Sequence, residues 1–470
     1  MTRKGLGIFP RPLPFVRAAV AVLMVGAMVI APAIAASRRI AWDDLAPLHG
    51  YLQKRGLAAA TFSQFVDRTH AENARRVREG DLDHLIFYLL QSNEIEKLAP
   101  IEPALSAKAL VDGLTETTRQ AFLRGEQVPV SMIPKSADER LTAGLRTLEG
   151  ANASVRAAYF LELVQAVFPS RDDRASGVRR EYLRAMRFVY QKEFVAQRAE
   201  RPADAVAALY RSRGLSTDTA VEAGFVVREG LGIGTALSPD RRIRRVLIVG
   251  PGLDLAPRTA LNQASRPESY QPWAVMDALL SLGVSVAGEL EIVGADINPR
   301  VVDVLRRYRG KPLALGLATE IRDADGVAFR ADYRDYFARL GAAIGRAGDV
   351  ERRDGRLVKS VRVSSASASA LYAERLDIVT ERLEGKPFDL IVATNILPYF
   401  DDTQLALALS NISAMLAPGG LFLHNERRPI VGDLGEVLGL RFEQARQVII
   451  ADVRGGAPLF DSVFLHRRRQ

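Results

Sequence analysis

Residues 244–258, RRVLIVGPGLDLAPR, place Gly250 and Gly252 at the end of a short apolar run. Glycine lacks a Cβ, so such a turn lets backbone approach a ligand, and a following helix offers unpaired N–H groups. A second run, LEIVGAD, ends in Asp296, with Ile297 beside it. A carboxylate at the end of a buried strand can accept hydrogen bonds from both hydroxyls of a ribose, as in dinucleotide folds. The pattern G-x-G-x-x-G would need glycine at 255, where Leu255 stands, and this counts against NAD or FAD. Asp296 also precedes Pro299 closely enough to serve as a helix cap. There is no cysteine, which excludes disulfides, thiolate zinc sites and cysteine nucleophiles. The five histidines, His49, His70, His84, His424 and His466, are scattered and form no metal-binding pattern.

The elements that must hold these residues alternate from about residue 236 onward. VLIVG is a buried strand; after it come the helix QPWAVMDALLSLG, the strand LEIVGAD and the helix PRVVDVLRRY. Further on lie the strand FDLIVATNIL, the helix QLALALSNISAMLAPGG and the strand LFLHNE. Such alternation implies right-handed crossovers and a doubly wound, mostly parallel α/β sheet. ARQVIIADV and SVFLHRRR, joined by RGGAPLFD, read as a hairpin, so the last strand should run antiparallel at or near an edge. Between about 310 and 370 lies an insertion with an aromatic helix (ADYRDYFARLGAAIG), an Asp354-Gly355 hairpin turn and a flexible stretch, SSASASA. A lid is one reading of it, with Tyr333 and Tyr336 meeting a substrate; packing against the preceding helices is the other.

The chain opens on Arg3, Lys4, Arg11 and Arg17 without an acid, then runs apolar from Ala18 to Ile30 and reaches Ala33-Ile34-Ala35. This is the layout of a signal peptide over residues 1–36, with a periplasmic or otherwise extracytoplasmic product. An uncleaved segment would instead anchor the chain to a membrane. Removing it takes four positive charges from the formal +9 and leaves +5, with no basic stripe and no nucleic-acid recognition module. Residues 37–235 read as a mainly helical domain. TFSQFVDRTHAENARRV and DLDHLIFYLLQS appear as separate helices capped by Thr61 and Asp81, and REYLRAMRFVYQKEFVAQRAE and ASVRAAYFLELVQAVFP carry apolar stripes. No convergent polar set marks this half.

Taken in order, VLIVGPGLD, IVGADINP, LDIVTERL, FDLIVATNILPYF and LAPGGLFLHNE with the closing hairpin resemble the class I S-adenosylmethionine-dependent methyltransferases, over residues 240–470. The resemblance implies that the turn at Gly250 and Gly252 holds the methionine end of that cofactor and Asp296 its ribose. It implies that Asp377 takes the adenine amine while Ile378 packs on the ring, and that Asn395 and Tyr399 of NILPYF face the departing methyl group. The family's usual acid two residues before the first glycine is Ile248 here, and its third glycine is Asp254, which would then meet the cofactor's ammonium group. The activity expected is methyl transfer by direct displacement to an unknown acceptor. Two alternatives stand beside it: a catalytically silent scaffold of the cell envelope, and an aminopropyl transferase using Asp401 and Asp402.

Overall fold

Val246 and Ile248 pack into one hydrophobic core, and Leu247 and Val249 into another on the opposite face of the same strand. That two-sided burial is why VLIV reads as an unbroken apolar run. A computed structural model of the chain describes residues 36–95, 98–256 and 265–470. These lie in one compact unit. The segment expected as a signal peptide lies, except for Ala36, outside the described residues. Among the described residues no helix is long and apolar enough to cross a membrane.

Seven strands build the main sheet: β1 (Arg245–Val249), β2 (Glu291–Asp296), β3 (Leu371–Arg375), β4 (Phe388–Ala393), β5 (Leu416–His424), β6 (Leu440–Val453) and β7 (Leu459–Arg468). Their spatial order is β3-β2-β1-β4-β5-β7-β6, and Val327–Phe329 of the insertion adds an eighth strand beyond β6. Strands β1 to β5 are parallel, while β7 pairs antiparallel with both β5 and β6. The hairpin is the expected one, with an antiparallel last strand near an edge: β6 and the added strand lie outside it. The strand LYAER that forms β3 was not foreseen.

The helices that matter for the site are α1 (Ala59–Gln91), α2 (Val155–Val167), α3 (Glu222–Leu237), α4 (Gln271–Ser281), α5 (Pro299–Tyr308), α6 (Ala331–Arg339) and α7 (Asp402–Met415). Two helices were expected where α1 runs unbroken for 33 residues. Asp81 is therefore a mid-helix residue and no cap, and Thr61 stands at the third position after the N-cap, Ala58. Gly80 beside Asp81 is set by packing: a Cβ there would collide with the backbone carbonyl of Leu215. Helix α3 leans on β5 and β7, with Gly230 against Leu423 and Val463. Helix α2 is capped by the Ser154 hydroxyl, which accepts the Ala157 N–H, and ends before Pro169 as expected.

The insertion folds as an antiparallel sheet of Leu313–Ala318, Arg356–Val363 and Gly345–Ala347, with Glu351–Arg353 also paired to its long strand. Its hairpin turns at Asp354 and Gly355, both with positive φ. SSASASA is not a flexible stretch: Ser365–Ser369 is helical and capped by Ser364. Tyr333 and Tyr336 on α6 are buried against Phe225 of α3, so they pack the insertion onto the helices and do not face a substrate.

Candidate functional site

The strand order reverses between β1 and β4, and a cleft opens there at the carboxyl ends of the parallel strands. Open α/β sheets bind ligands at this position. The cleft is lined by Gly250 and Gly252 after β1, Asp296 at the end of β2 with Ile297 after it, Asp377 and Ile378 after β3, and Asn395 and Tyr399 after β4. Residues more than 120 positions apart in the chain thus share one wall.

Both turn glycines have positive φ, 67° at Gly250 and 63° at Gly252. A Cβ at Gly250 would strike Ile396, and one at Gly252 would collide with Thr219 and the Thr217 carbonyl. The second contact reveals a strap, residues 213–219, that crosses the glycine turn. Its backbone is fixed on both sides: Leu215 N–H donates to Arg76 O (2.8 Å), Leu253 N–H to Thr217 O (2.7 Å) and Thr219 N–H to Leu253 O (2.9 Å). Thr217, Asp218 and Thr219 thereby enter the cleft beside the turn. The Asp218 carboxylate accepts the N–H groups of Leu255 and Ala256 (2.8 and 3.2 Å).

Asp296 is buried at the cleft floor. Its carboxylate accepts the N–H of Asn298 (2.8 Å) and, at 3.3 Å, that of Gly252. Burial, with some repulsion from Asp81, lifts its pKa to about 7 against those hydrogen bonds. It does not cap α5; Asn298 does, its side chain accepting the Arg300 N–H (3.0 Å). Asp81, from α1, accepts the Asn298 amide (2.8 Å), and burial lifts its pKa to about 6.

Asp377 is equally buried and fully engaged. It accepts the Asn73 amide through both oxygens (3.2 and 3.1 Å), the Val379 N–H (3.1 Å) and His70 Nδ1 (3.2 Å). Asn73 and His70 both belong to α1. So do Arg76, whose guanidinium donates to the Tyr399 carbonyl (3.1 Å), and His84, whose ring lies 2.9 Å from the Ser216 hydroxyl. The helical half therefore builds one side of the cleft, which its sequence did not disclose. The available signal was a row of polar residues on one face of α1, at 70, 73, 81 and 84, where an apolar stripe would be ordinary.

Asn395 has a φ of 62°, a conformation that asparagine tolerates better than most residues. Its N–H donates to the Asn425 side chain (2.9 Å), and Asn425 returns its amide to the Asn395 oxygen (2.6 Å) and to Asp461 (3.0 Å). Burial raises the pKa of Tyr399, so its phenol stays protonated near neutral pH. Asp254 departs from expectation. It is wholly buried outside the cleft, 3.4 Å from the Arg156 guanidinium of α2 and 2.7 Å from the Tyr270 hydroxyl. It therefore ties the turn to α2 and is not placed to meet a ligand's cation. Asp401 and Asp402 also lie outside the lining: Asp401 caps α7 by accepting the Gln404 N–H (2.8 Å), and Asp402 pairs with Arg428 (3.4 Å). Among the described residues no cluster of His, Cys, Asp or Glu could hold a metal ion.

The residues fit a nucleoside carrying a charged arm. The glycine turn and strap offer backbone and short polar side chains, Asp296 an acceptor for a vicinal diol, and Ile297 and Ile378 apolar surface for a base.

No protein-family model matches the chain, and no curated protein matches it. Among solved structures it is similar to magnesium protoporphyrin IX methyltransferase (ChlM) from Synechocystis with bound S-adenosylmethionine: 8% identity over 53% of this chain and 82% of that one, TM-score 0.27. It is also similar to the N-methyltransferase NodS from Bradyrhizobium japonicum in complex with S-adenosylhomocysteine, at 15% identity over 52% and 87%, TM-score 0.26. The CurJ carbon methyltransferase matches 91% of this chain and 99% of its own at 14% identity, TM-score 0.28. The strand order, rather than these matches, carries the fold: a doubly wound sheet closed by an antiparallel hairpin, as the resemblance to class I methyltransferases implied.

Proposed function

We propose that the chain is an S-adenosylmethionine-dependent methyltransferase acting outside the cytoplasm on an unknown acceptor. The observation that supports this reading is the convergence of Gly250, Gly252, Asp296 and Asp377 on one cleft at the switch point of the sheet. When bound, the cofactor would supply a methyl group already activated on a sulfonium. The protein's part is alignment of an acceptor nucleophile and exclusion of water. In this reading Asp296 holds the ribose, Ile297 and Ile378 enclose the base, and the turn and strap hold the methionine arm. Asn395, fixed by Asn425, stands at the cleft where the acceptor would enter. Tyr399, as a protonated phenol, can donate a hydrogen bond there.

Calorimetric titration of the protein with S-adenosylmethionine and S-adenosylhomocysteine tests the reading, with Asp296→Ala beside the wild type. Wild-type binding, weakened by about 1.5–3 kcal/mol in the variant, is the expected result. A wild type that binds neither compound at millimolar concentration would overturn it in favour of a scaffold. Export is a separate part of the proposal. It is supported by the basic start, apolar run and Ala-Ile-Ala site of residues 1–36, and is checked by sequencing the mature N-terminus. An intact Met1 on a soluble cytoplasmic product would remove it.

A further inference from the structure

Asn73 lines the cleft, yet is only 1% exposed. Its amide nitrogen is 3.2 and 3.1 Å from the two oxygens of Asp377. Its amide oxygen has no hydrogen-bond partner. The orientation is dictated by chemistry: a carboxylate only accepts, so the amide must turn its NH2 toward Asp377 and its oxygen away. Flipping the amide would set oxygen against carboxylate. Asp377 itself has no acceptor capacity left over. The Asn73 amide, the Val379 N–H and His70 Nδ1 together make four contacts, and two carboxylate oxygens offer about four lone-pair positions. His70 is held in turn by Thr380, whose hydroxyl lies 3.2 Å from the same Nδ1.

A buried carbonyl oxygen without a donor is costly and rare in a folded protein. Here it belongs to a residue that lines the cleft together with Asp377 and Ile378, where the cofactor reading puts the base. We infer that Asn73, carried in by the helical half, is the residue that reads the exocyclic amine of a 6-aminopurine, while Asp377 and His70 position its amide. This inference rests on the cofactor reading above. A purine with a keto oxygen at position 6 would turn an acceptor toward an acceptor and leave the Asn73 oxygen unpaired. A site built to hydrogen-bond one group rejects the analogue lacking it more strongly than an apolar pocket can. Asp377 then acts through Asn73 rather than on the ligand, and the adenine contact moves from the sheet's own loop to a helix 304 residues away in the chain.

The test is calorimetric binding of S-adenosylhomocysteine and its 6-oxo (inosine) analogue to the full chain, as wild type and as Asn73→Leu. The wild type should prefer the adenosine compound by at least about tenfold. In Asn73→Leu the two affinities should converge to within about threefold, chiefly by loss of adenosine affinity. If circular dichroism shows that Asn73→Leu does not fold, Asn73→Ser replaces it: its hydroxyl is too short to bring an acceptor to the ligand. The double variant Asn73→Asp with Asp377→Asn exchanges amide and carboxylate but keeps an acceptor on the ligand side, and should retain the preference. A folded Asn73→Leu or Asn73→Ser that keeps the full preference, a folded double variant that loses it, or a wild type without one overturns this inference and leaves the cofactor reading standing. A wild type that binds neither compound overturns both.

Discussion

At position 254 a carboxylate stands in a site with no access to water, and its partner Arg156 is also fully buried. Such a pair adds little to stability as a pair, but breaking it strands a charge. Arg156→Leu should cost about 3–5 kcal/mol in urea unfolding, and Arg156→Leu with Asp254→Leu should recover most of that. A single variant as stable as the wild type would show that Asp254 is satisfied without Arg156. Asp296 has the opposite character, because its burial is opposed only by backbone N–H groups. A folded pKa near 7 lies above the unfolded aspartate value. The native state therefore binds the extra proton between about pH 4 and 7, and stability falls as pH rises through that window. Asp296→Asn removes the charge, so its urea midpoint should gain on the wild type from pH 5 to pH 8. No change in the difference across that range would refute the assignment. The same carboxylate, once ligand hydroxyls donate to it, should ionise more readily.

The long helix α1 shows how far the chain could be read at the level of elements. Strands β1, β2, β4 and β5 are apolar runs closed by glycine, acid or asparagine, and each was legible because burial on both faces leaves an unbroken signature. LYAER, the edge strand β3, has no such signature, because one side of an edge strand carries polar residues. The two halves of α1 read as separate helices because Asp81 looks like an N-cap. In the structure Asp81 answers to the distant Asn298 amide instead, and Gly80 beside it to the Leu215 carbonyl. Strands β5 and β7 raise a second issue, since His424 and His466 face each other with ring centroids 5.1 Å apart. Burial holds His424 well below the usual histidine range, helped by His466, and lowers His466 against the pull of Glu436. Below about pH 6.5 the unfolded chain takes up protons that the folded pair refuses, so this contribution is lost as pH falls. His424→Phe should flatten the decline of the urea midpoint between pH 7 and pH 5.5, and an unaltered slope would exclude the pair as its source.

At the scale of the whole molecule, the division into a helical part and a sheet part is visible in the sequence, but their joint construction of the cleft is not. No pattern in RGLSTDTAVEAG announces a strap over a glycine turn, and the contact appears only when residue 217 meets residue 253. The glycine at 252 is one consequence. A valine there would collide with the strap before it met any ligand, so loss of binding in Gly252→Val would not by itself locate a ligand. A cleaner experiment compares residues 37–470 with a fragment of residues 240–470. The fragment keeps every residue of the methyltransferase resemblance but lacks α3, which covers Leu423 and Val463, and α1, which supplies Asn73 and His70. It also lacks Arg156, leaving Asp254 without its counter-charge. Exposing that much apolar sheet surface should leave the fragment aggregated or dye-binding, without a cooperative urea transition. Residues 37–470 should unfold in a single transition, because both cores on the sheet are completed by helices from the first half. A fragment that unfolds cooperatively and binds S-adenosylhomocysteine as well as the longer chain does would show that the helical half is dispensable to fold and site alike.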